Sequence, residues 1–191
     1  MTLGVILAGG LSRRMGRSKS ELPFGQTTML EYVVARLAPQ CDLVVVNANS
    51  EIRIANAVVN DPLPGALGPM AGLLAGMTYA QRHGFSKIVT VAVDTPFFPD
   101  TYVKSLQTGR NALIVLAKSE SGSHPTCGLW DVSLRDDLAA SLRAGERKVM
   151  AWARRHNAVS IHFSSTSFDP FFNVNTPSDY EQAQHIIAGQ T

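Results

Sequence analysis

Short apolar runs alternate along this chain with stretches whose apolar residues recur at helical spacing, and that alternation predicts the elements in order. Leu3 to Ala8 reads as a first strand. Thr28 and Glu31 form a capping box ahead of Leu30, Val33, Val34 and Leu37, so a helix begins there and ends at Pro39. Asp42 to Asn47 is almost wholly apolar, as expected of a strand covered on both faces, and Ala57 to Asn60 is a shorter strand after it. Pro69 opens a helix of small residues, Met70 to Met77, in which Gly72 and Gly76 allow close approach to a sheet. Lys87 to Val93 is the clearest strand and stops at Asp94-Thr-Pro96. Pro99 starts a further helix. Strands at Ala112 to Ala117 and Thr126 to Trp130, helices at Val132 to Leu142 and Lys148 to Arg155, a strand at Val159 to Phe163 and a helix at Pro177 to Ile187 complete the series.

Strand and helix alternating at this pitch predict an α/β fold, a mostly parallel twisted sheet with helices on both faces and room for one antiparallel strand in the middle. No repeat, linker or low-complexity tract divides the 191 residues, so a single domain over 1–191 is expected. The net charge of +2 is small, which argues against a general polyanion surface and hence against nucleic acid as partner. Cys41 and Cys127 form no C-x-x-C pair, and both fall beside strands where a buried thiol is the ordinary role. No run approaches the roughly 20 apolar residues of a membrane span, and the start of the chain lacks a signal-peptide pattern. A cytoplasmic protein is the expectation.

Charge matters locally. Arg13, Arg14, Arg17 and Lys19 follow the first strand, interleaved with Gly9, Gly10 and Gly16, and no acidic residue precedes Glu21. Glycines admit backbone N–H groups close to an anion, and the cations add charge-assisted hydrogen bonds, so this loop is suited to polyphosphate. Its glycine spacing fits neither a Walker A loop nor G-x-G-x-x-G, which turns the reading away from P-loop kinases and dinucleotide dehydrogenases. Asp94, where the strongest strand ends, suits a magnesium ion that takes its other ligands from substrate phosphates; a carboxylate capping the Pro96 turn is the alternative. The histidines, His83, His124, His156, His162 and His185, lack ligand spacing, so no zinc or iron site is expected.

The stretch from Leu7 to Gly16, followed by Lys19, resembles the signature loop of the molybdenum cofactor guanylyltransferase group of nucleotidyltransferases. Further blocks fit in the same order: Val45 to Asn49, Asn60-Asp61, Gly68 to Gly72, Val93 to Pro96, His124-Pro-Thr126, Gly145 to Val149 and Phe172 to Pro177. The resemblance spans nearly the whole chain and implies a Rossmann-like nucleotidyltransferase fold. It further implies transfer of GMP from GTP to the terminal phosphate of molybdopterin, with pyrophosphate released and Mg2+ as cofactor. Lys19, Asp94 and Arg13 would then be catalytic, Asp94 also holding the metal. Leu7, Ala8, Gly9, Lys19, Asn47, Asp61 and Asp94 would bind GTP. Arg147, Asn173 and Asn175 would face molybdopterin, with Lys148 beside them.

Asn47 and Asp61 each close a short strand on one sheet edge, and an aspartate could accept from guanine N–H groups; both could equally be turn residues. Asn173 and Asn175 alternate on an extended segment and so share a face, unless they are helix caps. The partners implied are GTP, the molybdopterin cofactor and molybdoenzyme-maturation proteins that hand over or receive it, with neither nucleic acid nor membrane, and the expected state is a monomer. One departure from the group's pattern is Ser18, where an aspartate usually precedes the loop lysine; Glu21 is a nearby carboxylate that could substitute. A cytidylyltransferase acting on the same cofactor would more often show Ala-Ala-Gly where this chain has Ala8-Gly9-Gly10. A non-catalytic nucleotide-binding carrier would have no need of both Lys19 and Asp94. A sugar-phosphate nucleotidyltransferase usually has a longer chain.

Overall fold

The computed structural model describes residues 1–9, 19–65 and 67–189. Arg13, Arg14, Arg17 and Ser18, to which the sequence reading gives parts, lie outside the described residues. The strands are β1 (Thr2–Leu7), β2 (Pro23–Phe24), β3 (Thr27–Thr28), β4 (Leu43–Asn47), β5 (Val58–Val59), β6 (Lys87–Ala92), β7 (Ile114–Ser119), β8 (Gly122–Asp131) and β9 (Val159–His162). The helices are α1 (Met29–Leu37), α2 (Pro69–Arg82), α3 (Tyr102–Leu106), α4 (Arg135–Arg143), α5 (Val149–Arg155) and α6 (Pro177–Ala188).

Seven strands form one sheet in the order β5-β4-β1-β6-β8-β7-β9. Every neighbouring pair is parallel except those made by β8, which runs against both β6 and β7. The expected mostly parallel sheet with an antiparallel strand in its middle is therefore found. Strand alternation sends side chains to two cores. Ile6, Val44, Val46, Val89 and Val91 face α1, α3 and α6, together with the aromatic cluster Phe97, Phe98, Tyr102, Phe163 and Phe171. Leu3, Val5, Val45 and Ile88 face Met70, Leu73 and Met77 of α2, with Leu138 of α4 and Trp152 of α5 in the same layer. Thr90, fully buried in β6, is satisfied from both sides: its hydroxyl accepts from Trp130 Nε1 at 2.8 Å and its carbonyl from the Tyr102 hydroxyl at 2.8 Å.

Local chemistry sets several boundaries. Thr28 and Glu31 make both halves of the capping box of α1. Pro69 occupies the first turn of α2, preceded by Gly68 at a φ of 72° that favours glycine. The close approach predicted for α2 is real: a Cβ on Gly76 would lie 2.8 Å from Val5 Cγ2, and one on Gly72 would lie 2.8 Å from Leu7 Cδ2.

The small two-stranded sheet of β2 and β3 is not predicted, and three predicted elements have different bounds or form. α3 starts at Tyr102, three residues after Pro99. The first three residues of the predicted Val132 helix form a 3-10 turn, with Asp131 accepting from Ser133 N. β8 is twice as long as predicted and makes a hairpin with β7. Pro125 obscured it, because a proline cannot donate to a ladder; here it falls in a register shift opposite Leu116 and Ala117, where no donor is needed.

Candidate active site

The site lies where the parallel strands end. In register, Leu7 of β1 stands beside Asn47 of β4 on one side and Ala92 of β6 on the other, so the residues that follow these strands project from one edge of the sheet. Ligand clefts of open α/β sheets form outside the carboxyl ends of their strands. Here a cleft of about 300 Å³ is lined by Leu7, Ala8 and Gly9, by Lys19 and Ser20, by Asn47 and Asp61, by Gly68 and Pro69 at the start of α2, and by Ala92, Val93, Asp94, Thr126 and Asn173.

At one end of the cleft the Lys19 ammonium stands 2.9 Å from Asp94 Oδ2 and donates to Asn175 Oδ1 at 2.5 Å. Lys19 and Asp94 keep 16% and 23% of their side-chain exposure, so the pair is partly withdrawn from water yet open to a ligand. Asp94 is fixed by its backbone on both sides. Thr95 N and Oγ1 both donate to Ala92 O, closing the turn after β6, and Val174 N donates to Asp94 O at 2.8 Å. That last bond draws in the extended segment before α6. Val174 is buried in the core, so Asn173 and Asn175 share the cleft-facing side, as their alternation predicted. Neither is the cap of α6. That cap is Thr176, which accepts from Asp179 N, while the Asp179 carboxylate accepts from the Asn175 and Thr176 amides. The Asn175 amide is the leading reason that the Asp179 carboxyl lies below its ordinary value.

At the other end, Asn47 is 3% exposed. Its Nδ2 donates to Val59 O at 3.1 Å and to Asp61 Oδ1 at 2.9 Å, and its Oδ1 lies between Gly9 and Gly72. A Cβ on Gly72 would be 2.2 Å from that oxygen, so only glycine fits there. The fourteen-residue α2 points its partly positive N-terminus at the same space.

Flanking the cleft, His124 is buried and stacks on Phe171 at 4.6 Å. Its Nε2 is 2.8 Å from Ser119 Oγ, and Ser119 donates to Asp169 Oδ2 at 2.8 Å. Since the single Ser119 proton goes to the carboxylate, the hydroxyl oxygen accepts from His124 Nε2–H. Burial lowers the imidazole below its ordinary value, partly offset by the Asp169 charge.

Of the residues singled out in the sequence, Leu7, Ala8, Gly9, Lys19, Asn47, Asp61, Asp94, Asn173 and Asn175 are brought together. Arg147 is not. Its guanidinium donates to the carbonyls of Leu142 and Glu146 and so finishes the end of α4, while Lys148 is the residue before α5. Glu21 is exposed at the end of a short 3-10 turn, and Lys19 turns to Asp94 and Asn175 instead. Thr126, His124 and Gly68 stand in blocks already notable in the sequence, and the family resemblance implies that the His124-Pro-Thr126 block lies close to the substrate cleft, whereas Ser119 and Asp169, which chain to His124, are 50 residues apart and carry no local signal.

The donor set also limits a metal. Among the described residues no three His, Cys, Asp or Glu side chains converge, and the two carboxylates lining the cleft differ. Asp61 receives two asparagine amides, one on each oxygen, whereas Asp94 meets the Lys19 ammonium on Oδ2. One available carboxylate beside space for phosphate oxygens fits a hard divalent cation such as Mg2+.

Comparison with known proteins agrees with this architecture. The chain is 42% identical over 194 aligned residues to a molybdenum cofactor guanylyltransferase of Rhizobium meliloti, covering 94% of this chain and 89% of the relative. It is 38% identical to the protein of that name from Nitrobacter hamburgensis, covering 98% and 95% of the two chains. The crystal structure of molybdopterin-guanine dinucleotide biosynthesis protein A from Archaeoglobus fulgidus superposes with a TM-score of 0.80 at 25% identity, over 99% of this chain and all of that one. Residues 4–159 match the MobA-like NTP transferase domain, and the chain belongs to that family.

Proposed function

We propose that this chain is a guanylyltransferase that transfers GMP from GTP to the terminal phosphate of Mo-molybdopterin. An oxygen of that phosphate attacks the α-phosphorus of GTP, the bond to the β-phosphate oxygen breaks, and pyrophosphate leaves with its charge neutralised. Such a transfer needs little covalent help from a protein; positioning and charge stabilisation supply the catalysis. The observation that carries the reading is the meeting of Lys19, Asp94 and Asn175 at the carboxyl edge of β1 and β6, beside a cleft whose other end holds Asn47 and Asp61.

Asn47, Asp61 and the backbone of Leu7, Ala8 and Gly9 are assigned to the guanosine, and Lys19 to the triphosphate. Arg13, outside the described residues, is assigned to the same phosphates. Asp94 is the residue to hold Mg2+, which when bound offsets charge on the attacking and leaving oxygens. The ion pair gives Lys19 a second position: its ammonium neutralises Asp94 before nucleotide arrives and is then available to phosphate oxygens. Asn173 and Asn175 can orient the incoming phosphate without adding charge. The reading treats 1–191 as one catalytic domain working as a cytoplasmic monomer; among the described residues no helix is long and apolar enough to cross a membrane.

The test is incubation of purified protein with Mo-molybdopterin, magnesium and each of GTP, CTP and ATP, following pyrophosphate. Release with GTP well above the other two is expected. No release with GTP, or faster release with CTP, overturns the reading.

A further inference from the structure

Asp61 stands beyond the end of a strand that can barely hold it. β5 has only Val58 and Val59 in its ladder, paired with Val46 and Asn47, and a two-residue edge strand fixes little by itself. Side-chain amides continue the pairing where the backbone stops. Asn60 Nδ2 donates to Ala48 O at 2.7 Å. Asn49 closes a two-bond ring with Asp61: the Asp61 amide donates to Asn49 Oδ1 at 2.9 Å, and Asn49 Nδ2 donates to Asp61 Oδ2 at 2.7 Å. Asn47 Nδ2 holds the other oxygen, Oδ1, at 2.9 Å. The carboxylate is thus gripped on both oxygens, and each keeps lone-pair capacity for a further donor.

We infer that Asn49 is a positioning residue for base recognition, setting the plane of the Asp61 carboxylate so that its remaining acceptor sites meet the N–H groups of guanine. Asn49 is exposed and is not among the residues lining the cleft, so it acts through Asp61 and not on the ligand. The chemistry of position 49 is restrictive. The side chain must accept from a backbone amide and donate to a carboxylate at the same reach, which an asparagine does. Aspartate would have no donor and would set a second negative charge against Asp61, and alanine would supply neither bond. The inference rests on the reading of Asp61 as the group that meets guanine. A site whose acceptors are aligned with two donors penalises a base that lacks one of them, and inosine lacks the exocyclic amine.

The test is equilibrium binding of GTP and ITP, with magnesium, to the parent chain and to Asn49→Ala, Asn49→Asp and Asp61→Ala, measured by calorimetry so that the result does not depend on turnover. The parent should prefer GTP, and Asp61→Ala should remove that preference. Asn49→Ala should cut the GTP-to-ITP preference about tenfold, as expected for losing aligned hydrogen bonds to a charged group. Asn49→Asp should do at least as much. If Asp61→Ala keeps the parent's preference, Asp61 does not read the base and the inference falls with that assignment. If Asp61→Ala loses the preference while Asn49→Ala keeps it, or weakens both nucleotides equally, the role of Asn49 alone is overturned.

Discussion

A methyl group at Gly72 separates nucleotide binding from stability. The added Cβ would sit 2.2 Å from Asn47 Oδ1 and 2.8 Å from Leu7 Cδ2, so the Asn47 amide must retreat by about 1 Å to reach ordinary contact. That amide is 3% exposed and donates to Val59 O and Asp61 Oδ1 at 3.1 Å and 2.9 Å. Displacement breaks both bonds, at about 1 kcal/mol each, and moves the Asp61 side of the cleft with them. If Asn47 and Asp61 hold the guanosine as proposed, their displacement also forfeits hydrogen bonding to the ligand of about 2 kcal/mol, which corresponds to about a thirtyfold loss of GTP affinity. The two broken bonds lower global stability by about 1 kcal/mol once the roughly 1 kcal/mol that alanine gains over glycine in a helix interior is allowed for.

Gly76, one turn along α2, provides the contrast. Its Cβ would strike Val5 Cγ2 at 2.8 Å and come within 3.3 Å of Ile88 Cδ1, all apolar and away from the cleft. Gly76→Ala should lower stability by about 1 kcal/mol after the helix gain is allowed for, with GTP affinity unchanged. Calorimetric titration with GTP and thermal unfolding of both variants decide the matter. Gly72→Ala binding GTP within about threefold of the parent, or Gly76→Ala losing affinity to the same extent, would refute the reasoning.

Asp94→Ala should abolish pyrophosphate release, whereas Asn47→Ala should mainly raise the KM for GTP; equal effects of the two on kcat and KM would count against the separate roles. The His124 imidazole is lowered below about 6.5 by burial, so on acidification the unfolded chain takes up this proton first. The associated stability is complete above about pH 6.5 and is lost as pH falls through the depressed folded value, and His124→Gln should show a shallower fall in unfolding midpoint over that window. Identical slopes in parent and variant would show that the buried imidazole does not titrate as described. Asp179→Ala removes one half of the α6 cap and the acceptor for Asn175 N, and should cost about 1 kcal/mol in denaturant unfolding; no change would mean that α6 is held by its packing alone.

Much of this was legible in the chain. The runs of β-branched residues located β1, β4 and β6, because a strand buried on both faces has little freedom in composition. The cleft could be anticipated from Asn47, Asp61 and Asp94, since they stand at or just past the ends of β4, β5 and β6, and parallel strands end on one edge. Gly72 was readable as a packing glycine, but not as the glycine that makes room for Asn47, which depends on a contact across 25 positions of sequence. Pro125 imitates a strand end, and only its partner's register shows that β8 runs past it with no donor required there. Arg147 shows a cation with a second partner close by. A cation in a notable block suggests phosphate, yet the carbonyls at the end of α4 offer the same guanidinium an intramolecular partner.

The bond between Lys19 and Asn175 joins positions 156 apart in sequence, and the Val174 amide reaches back 80 residues to Asp94. During synthesis β1, β4, β5, β6 and α2 leave the ribosome well before that segment does. A nascent chain can therefore assemble the Asn47 and Asp61 end of the cleft while the Lys19 and Asp94 end still lacks Asn173 and Asn175. Order of emergence thus sets order of assembly: the cleft is complete only when the segment leading into α6 docks against the turn after β6.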